Sequence, residues 1–317
     1  MTASDQIMTS RPHTPVLLEQ SMHAIAVNAD GIYLDGTFGR GGHARALLSR
    51  LGESGRLLAV DRDPEAVAAG HLLAAEDRRF EIERAAFSRL PELARRRGWA
   101  GRVTGVLLDL GVSSPQLDVP ARGFSFSADG PLDMRMDPDS GESAAQWLTT
   151  AREQDIARVL RDYGDERFAR RIARAICADR AVTPLTTTSQ LKALIERVVP
   201  TREPGKHPAT RSFQALRIQV NAELDELRTC LAGICDLLAA GGRLVVISFH
   251  SLEDRIVKRF IRDESRGAAL PKGVPVQDAD LRRRLKPVGG PVHPDPDEIE
   301  RNPRARSAVL RVAERLS

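Results

Sequence analysis

The stretch that decides the fold is Gly31-Ile-Tyr-Leu-Asp-Gly-Thr-Phe-Gly-Arg-Gly-Gly-His43. Its first residues, up to Asp35, have the pattern of a short buried strand, and a helical pattern begins at Ala44. The link from Gly39 to Ala44 matches G-x-G-x-x-A, in which glycines allow a tight turn and close approach of the backbone to a bound nucleotide. The stretch therefore predicts a strand, a cofactor-binding turn and a helix, the first unit of an α/β fold.

Three more strands follow at regular spacing. We predict them at residues 55–61, 80–84 and 103–110, each separated from the next by a helical pattern. Asp63-Pro64 marks the start of one of these helices, because Asp is a good N-cap and Pro fits the first helical position. Strands that alternate with helices in this way predict a parallel, doubly wound sheet.

The alternation is interrupted in the middle of the chain. From about Asp118 to Arg217 only helical patterns occur, at residues 144–148, 154–160, 168–179 and 188–199. The α/β pattern then resumes with a long helix at 213–239, a fifth strand at 243–249, an edge strand near Leu285 and a last strand at 308–313. We predict a Rossmann-like domain of residues 13–117 and 218–317, an inserted all-helical domain of residues 118–217, and a flexible N-terminal arm of residues 1–12.

The composition is that of a globular protein of 317 residues with 42% hydrophobic residues, a formal charge of +4 and a pI near 9.2. The basic balance fits a polyanionic partner. No apolar run approaches the ~18 residues that span a bilayer, and the first dozen residues lack the apolar core of a signal peptide. Three cysteines are too few for a disulfide framework or a zinc site, so we expect no metal and a reducing, cytoplasmic setting.

The charges at the strand ends help to choose a cofactor. A carboxylate at Asp35 would repel a pyrophosphate but attract the ammonium and sulfonium groups of S-adenosylmethionine; alternatively it caps the turn through the backbone. Asp61, at the end of the second strand, is placed to bind ribose hydroxyls. His43 is either a ligand or an exposed residue of the first helical turn, and Phe87 is either core or a stacking face for adenine.

A second polar loop, Asp109-Leu-Gly-Val-Ser-Ser-Pro-Gln116, follows the fourth strand. Ligands of open α/β sheets bind beyond the carboxyl ends of the strands, so this loop should lie beside the reactive end of the cofactor. An exocyclic amine of a base is a poor nucleophile, because its lone pair is delocalised into the ring. Acceptors that hold its protons and align it make its methylation feasible. Asp109 and Ser113 are therefore the candidate catalytic residues.

At this point the sequence resembles a known family, the ribosomal RNA small subunit methyltransferase H or MraW family. The matching motifs cover the chain from about His13 to its end, except for residues 268–297. They are His13-Thr-Pro-Val-Leu-Leu18, Tyr33-Leu-Asp-Gly-Thr-Phe-Gly-Arg-Gly-Gly-His43, Ala59-Val-Asp-Arg-Asp-Pro64, Leu108-Asp-Leu-Gly-Val-Ser-Ser-Pro-Gln-Leu-Asp118, and residues 122–126, 130–138, 207–217, 247–255 and 302–311.

The resemblance implies a class I methyltransferase sheet and N4-methylation of a cytidine in the decoding region of 16S rRNA, with S-adenosylmethionine as the methyl donor. It also implies a set of cofactor contacts and leaves Asp35 without a direct one. By position these contacts fall on Gly41, Gly42, His43, Asp61, Phe87, Asp109 and Gln116.

The sequence indicates the residues that contact RNA less specifically than it indicates those that contact the cofactor. Basic residues are the candidates for holding phosphates, although a charge-rich helix is more often a solvated face. The candidates are Arg167, Arg170, Arg171, Arg174, Lys206, Arg211, Arg282, Arg283 and Arg284. An aromatic content of 4% argues against an extended base-stacking platform.

Several alternatives stay open at this stage. The segments 123–126 and 133–136 either shape a base pocket or pack the inserted domain against the sheet. His250 either faces the acceptor base or stabilises a helix start at Ser251. Two rival functions also remain: a dinucleotide-dependent oxidoreductase, and a non-catalytic RNA-binding or assembly factor.

Overall fold

A computed structural model describes residues 15–200, 207–267 and 282–317. Within these ranges one seven-stranded sheet is flanked and interrupted by α-helices. The strands are β1 Ile32–Asp35, β2 Arg56–Asp61, β3 Phe80–Arg84, β4 Val103–Asp109, β5 Leu238–Ser248, β6 Leu285–Pro287 and β7 Val309–Arg315. The helices are α1 Leu18–Ala24, α2 Gly42–Leu48, α3 Pro64–Glu76, α4 Leu90–Arg96, α5 Ser114–Asp118, α6 Ala144–Thr150, α7 Glu153–Gly164, α8 Ala169–Arg180, α9 Thr188–Val198, α10 Thr210–Asn221, α11 Glu223–Ile234, α12 Ser251–Arg266 and α13 Pro296–Arg301.

The sheet has the strand order β3-β2-β1-β4-β5-β7-β6. Strands β1 to β5 are parallel, and β7 pairs antiparallel with both β5 and β6. The order reverses between β1 and β4, and such a switch point opens a crevice at the carboxyl ends of the strands. The predicted Rossmann-like, class I methyltransferase sheet is confirmed, with β6 as its edge strand.

The core lies on both faces of this sheet. Side chains alternate along β2, with Leu57 and Ala59 in one buried cluster and Leu58 and Val60 in the other. Because successive side chains of a strand point to opposite faces, this alternation means that helices cover both sides of the strand. The all-apolar run from Leu57 to Val60 is the sequence signature of such burial.

Helices α6 to α10, between β4 and β5, form a third buried cluster of their own. It joins residues of α6 to α10, among them Leu148, Ile156, Ile172, Leu194 and Leu216. The predicted helices at 144–148, 154–160, 168–179 and 188–199 correspond to α6 to α9. The cluster also takes in Phe213 of α10. The domain boundaries at residues 118 and 217 stay a prediction.

The predicted long helix at residues 213–239 is wrong. The chain forms α10 and α11 instead, and Ala222 between them has a left-handed φ of 50°. The side chain of Asn221 holds the end of α10, because its Nδ2 donates to the Met134 carbonyl (2.7 Å) and its Oδ1 accepts from the Met136 N–H (2.8 Å). These partners lie more than 80 positions away along the chain, so helical periodicity carries no trace of them.

The fifth strand also begins earlier than predicted, at Leu238 instead of Arg243. Leu238 pairs with Val103, and the register then shifts so that Arg243 pairs with Gly105. The shift accommodates residues 239–242, in which Gly241 has a φ of 79°. The N-terminal arm and Lys206 lie outside the described residues. None of the described helices combines the length and apolar character that crossing a membrane requires.

Candidate active site

A cavity of about 210 Å³ opens at the carboxyl ends of β1, β2 and β4. It lies at the switch point of the sheet, where the sequence places both the glycine-rich turn and the polar loop after β4. Most of the predicted site residues line it: Gly42, His43, Asp61, Phe87, Asp109, Ser113 and Gln116. Gly41 does not line the cavity but forms the N-cap of α2 directly beside it.

The turn after β1 depends on three glycines. Gly39 and Gly41 have φ values of 54° and 74°, in the left-handed region that favours glycine. A Cβ on Gly41 would lie 2.6 Å from Cζ of Phe38, and one on Gly42 would lie 2.2 Å from Cγ of Pro15. A side chain is therefore disfavoured by the backbone conformation at Gly39, by steric clash at Gly42 and by both at Gly41. The turn presents bare backbone to the cavity.

Asp61 closes this turn from the neighbouring strand. Its Oδ2 accepts the N–H of Gly39 (2.8 Å) and its Oδ1 accepts the N–H of Asp63 (2.9 Å). Burial raises the pKa of Asp61, and these two hydrogen bonds offset only part of the rise. Each carboxylate oxygen still has a free lone pair, so the group can accept hydroxyl hydrogens from a ligand while it holds the turn.

Asp35 lies beneath the turn and not on the cavity wall. It is 2% exposed, and its Oδ1 accepts the N–H of Thr37 (3.0 Å). Burial raises its pKa to about 6, against the lowering effects of the Thr37 bond and of His43. Asp35 therefore caps the turn through the backbone, which was the alternative left open by the sequence, and it does so as a buried acid.

His43 is 6% exposed, so it is not the exposed helical residue of the alternative interpretation. Its Nε2 lies 3.4 Å from Oδ2 of Asp109. Burial by itself lowers the pKa of His43, but contact with Asp109 and the charge of Asp35 outweigh it and the pKa is raised. Three titratable side chains from β1, α2 and β4 thus form one cluster, with Asp35 beneath the cavity and His43 and Asp109 on its wall.

The loop after β4 is held by one hydrogen bond of its own and by two to the turns after β1 and β2. The Asp109 N–H donates to Oγ1 of Thr37 (2.7 Å), the Ser113 N–H donates to Oε1 of Gln116 (3.0 Å), and Nε2 of Gln116 donates to Oδ2 of Asp63 (2.8 Å). Oδ1 of Asp109 is buried and has no hydrogen-bond partner among the described residues. An unsatisfied buried carboxylate oxygen is costly, and at a cavity it marks the place of a ligand hydrogen-bond donor.

Sequence reasoning missed four residues at this site. Asp63 was interpreted only as a helix cap, yet its Oδ2 also accepts Nη1 of Arg122 (2.8 Å). Glu223 and Glu253 line the cavity from α11 and α12. Three of the four lie in motifs that the sequence already showed: Asp63 in residues 59–64, Arg122 in residues 122–126 and Glu253 in residues 247–255. Glu223 lies in none of these motifs, and only the folded structure places it at the cavity.

Glu223 and Glu253 lie close to His250. One potential metal-ligand atom from each of the three side chains lies within 4.8 Å of the other two. Arg217 donates to both oxygens of Glu223 (2.8 Å each), and Nε2 of His250 lies 3.1 Å from Glu253. The charge of Glu223 is therefore already matched by Arg217, and Glu253 is already in contact with His250, which disfavours a metal ion here.

His250 serves the helix start. Its Nδ1 accepts the N–H of Glu253 (3.4 Å), while Glu253 accepts the N–H groups of Phe249 and His250, a reciprocal capping box. The cavity wall includes Phe249 but not His250. The helix-start interpretation is the one that the geometry favours.

The segments after the polar loop divide between the two roles considered for them. Phe124 and Met134 are 7% and 0% exposed and pack in the interior. Met136 lines the cavity. Its N–H donates to Asn221, and its carbonyl accepts Nη2 of Arg122 (2.9 Å). The base-pocket interpretation therefore stays a prediction for the end of the second segment, while the packing interpretation fits Phe124 and Met134.

The candidate RNA-binding arginines are dispersed. Arg167, Arg170 and Arg171 are exposed beside α8, and Arg174 lies 4.0 Å from Glu153. Arg211 donates to the Asp165 carbonyl, and Arg284 pairs with Glu264. Arg282 and Arg283 are exposed next to Arg284. None of these residues lines the cavity.

The sequence was compared with known proteins. The model of the MraW methylase family matches residues 10–316. Ribosomal RNA small subunit methyltransferase H of Thioalkalivibrio sulfidiphilus is 60% identical over 314 residues, covering 98% of this chain and 100% of the relative. The protein of the same name from Coxiella burnetii is 55% identical over 305 residues, covering 96% and 99%.

Among solved structures, a putative rRNA methylase from Clostridium thermocellum aligns with a TM-score of 0.45 and 11% identity, covering 96% of this chain and 98% of that one. A putative methyltransferase from Streptococcus mutans in complex with SAH aligns with a TM-score of 0.43 and 11% identity, covering 96% and 100%.

Proposed function

This chain belongs to the MraW methylase family, and from that premise we propose that it methylates N4 of a cytidine in the decoding region of 16S rRNA. Family membership makes it a methyltransferase, and S-adenosylmethionine is its cofactor. The curated relatives are named for the small-subunit RNA, which supports 16S rRNA as the partner of this chain.

The cavity fits this cofactor chemically. Asp61 and Asp109 line it, and neither pairs with an arginine or lysine among the described residues, which favours a cationic ligand over a pyrophosphate. The bare backbone at Gly41 and Gly42 gives room for the methionine part, Asp61 holds the ribose hydroxyls, and Phe87 provides a face for adenine. His43, Asp109 and Gln116 complete the proposed contacts.

When bound, S-adenosylmethionine supplies a methyl group activated by the adjacent sulfonium. The protein's part is to orient the acceptor amine. Oδ1 of Asp109 is the observation that carries the proposal, because it is buried, unpartnered and attached to a loop fixed at both ends. It accepts one hydrogen of the amine, aligns the nitrogen lone pair and then takes the proton released once the nitrogen becomes cationic. The Ser113 hydroxyl, at the start of α5, is the second proposed contact.

The family assignment and the carboxylates of Asp61 and Asp109 at the cavity argue against a dinucleotide-dependent oxidoreductase. The non-catalytic assembly factor is the remaining rival. It predicts cofactor binding without methyl transfer, so it is distinguished by activity alone.

The experiment is methylation of small ribosomal subunits from cells that lack the enzyme, followed by mass mapping of the modified nucleotides. Wild-type protein should add one N4-methyl group to one cytidine. Asp109→Asn should lower the rate by about 10²-fold or more, while Asp30→Asn, a matched change at an exposed residue, should leave it unchanged. Methylation of another base or position would overturn the proposed specificity, and absence of any transfer by the wild type would favour the assembly factor.

A further inference from the structure

We propose that the exposed face of α12, together with a second cavity beside it, binds the RNA strand next to the target nucleotide. This inference rests on the proposed function and extends it to a surface remote from the chemistry. Its partner is the phosphodiester backbone of single-stranded RNA.

The face of α12 is basic at helical spacing. Val257 and Ile261 are buried on one side, with Glu253 one turn before them. The opposite side carries four exposed cations at i, i+3, i+4 and i+7, a spacing that places them in one stripe. This α12 stripe consists of Arg255, Lys258, Arg259 and Arg262.

Most of this charge is not neutralised. Arg262 contacts Asp263, its exposed chain neighbour, and a pair of that kind is worth little. Among the described residues, Arg255, Lys258 and Arg259 form no ion pair or side-chain hydrogen bond. Exposed arginines elsewhere, such as Arg89 and Arg228, are paired with acids one helical turn away. A stripe left unpaired can exchange counterions for phosphates without breaking an internal contact.

The helix that carries the stripe begins at the active-site cavity. Phe249 and Glu253, at the beginning of α12, belong to the cavity wall. The helix then leads away from it, and a rise of about 1.5 Å per residue places Arg262 roughly 14 Å from Glu253. A few nucleotides of extended RNA cover that distance, so a strand with its target base in the cavity can lie along α12.

A second cavity of about 220 Å³ lies beside the far half of the stripe. Lys258 and Arg262 border it, Ile261 and Val312 form an apolar floor, and no acidic side chain lines it. A cationic rim over an apolar floor suits a nucleotide, whose phosphate meets the cations while its base or ribose covers the floor.

Gly290 provides a way to block this cavity. It lines the cavity, and a Cβ built on it meets no atom within 4 Å. Its φ is not positive, so a side chain is tolerated by the backbone. Gly290→Leu therefore fills the space without changing charge.

The test is the salt dependence of binding to a 16S rRNA transcript and to small subunits from cells lacking the enzyme. Lys258→Gln/Arg259→Gln should weaken binding to both about tenfold or more. The negative slope of log K against log salt should become less steep by about 1.4, since each phosphate contact on a single strand contributes about 0.7. Arg78→Gln/Arg102→Gln removes the same charge from exposed sites before β3 and β4 and should leave the slope unchanged. Gly290→Leu should weaken binding with the slope unchanged.

A slope for the Lys258/Arg259 variant equal to that of the Arg78/Arg102 variant would show a solvated helix face and overturn the proposal. Weakened binding to subunits but not to the transcript would assign the stripe to a ribosomal protein and also overturn it. Wild-type affinity of Gly290→Leu would remove the second cavity from the interface. Methyl transfer by the wild type, measured alongside, separates these outcomes from failure of the proposed function.

Discussion

Asp63 and Arg122 form a buried ion pair, with 2.8 Å between Oδ2 and Nη1 and with side chains only 5% and 12% exposed. The pair connects the turn after β2 to the chain that follows α5. The same Asp63 oxygen accepts Nε2 of Gln116, and Arg122 continues the network to the Met136 carbonyl. One carboxylate oxygen thus links the turn after β2 to the loop after β4 and, through Arg122, to the cavity wall at Met136.

The first prediction concerns this link. Arg122→Gln leaves Asp63 buried without its cation, and removing one partner of a buried pair costs about 3–5 kcal/mol. We expect that loss in the free energy of unfolding by denaturant, with weaker S-adenosylmethionine binding by calorimetry. Arg84→Gln is the control, because Arg84 pairs with Asp137 and Asp139 in a more exposed place. Equal effects of the two substitutions would contradict the assigned importance of the buried link.

The second prediction separates backbone strain from steric blockage in the glycine-rich turn. Gly41→Ala and Gly98→Ala both place a side chain at a positive φ, 74° and 68°, and each should cost about 1–2 kcal/mol. Only at Gly41 does the new Cβ collide, with the ring of Phe38; at Gly98 it meets nothing within 4 Å. Titration with S-adenosylmethionine should show affinity lowered about tenfold or more by Gly41→Ala and unchanged by Gly98→Ala. Similar affinities would mean that the turn does not contact the cofactor.

Local patterns explain how much of this was predictable. The run from Leu57 to Val60 and the glycines before His43 encode strand and turn directly, because burial and positive φ constrain those residues themselves. The break at Ala222 and the partners of Asp63 depend on side chains distant in sequence. Asn221 ends its helix through Met134 and Met136, which no helical pattern contains. The sequence patterns therefore missed the features that depend on residues close in space but distant along the chain.

The third prediction follows from the pKa of Asp35, raised to about 6 by burial. The folded state keeps this proton at pH values where the unfolded chain, with a pKa near 3.8, has lost it. The contribution of Asp35 to stability is therefore present at low pH and lost as the pH rises from about 4 to about 6. Asp35→Asn removes this dependence and leaves an oxygen to accept the Thr37 N–H.

Denaturant unfolding of both proteins at several pH values checks this. The stability of Asp35→Asn relative to the wild type should increase with pH by at most about 1.4 kcal/mol per unit between pH ~4 and pH ~6. The comparison ends at pH ~6, because the charge of Asp35 also raises the pKa of His43 and the two proteins differ in that titration at higher pH. A difference independent of pH would show that Asp35 is ionised normally in the folded state.

The last prediction distinguishes the two roles considered for His250. Asn is among the best N-cap residues and has no group that titrates near neutral pH. If His250 only caps α12, His250→Asn should keep the methylation rate within about twofold, whereas His250→Ala should lose about 1 kcal/mol of stability. Initial rates across pH 6–9 and thermal unfolding measure both quantities. A loss of activity in His250→Asn at unchanged stability would show that the imidazole takes part in the reaction, and the capping assignment would then be insufficient.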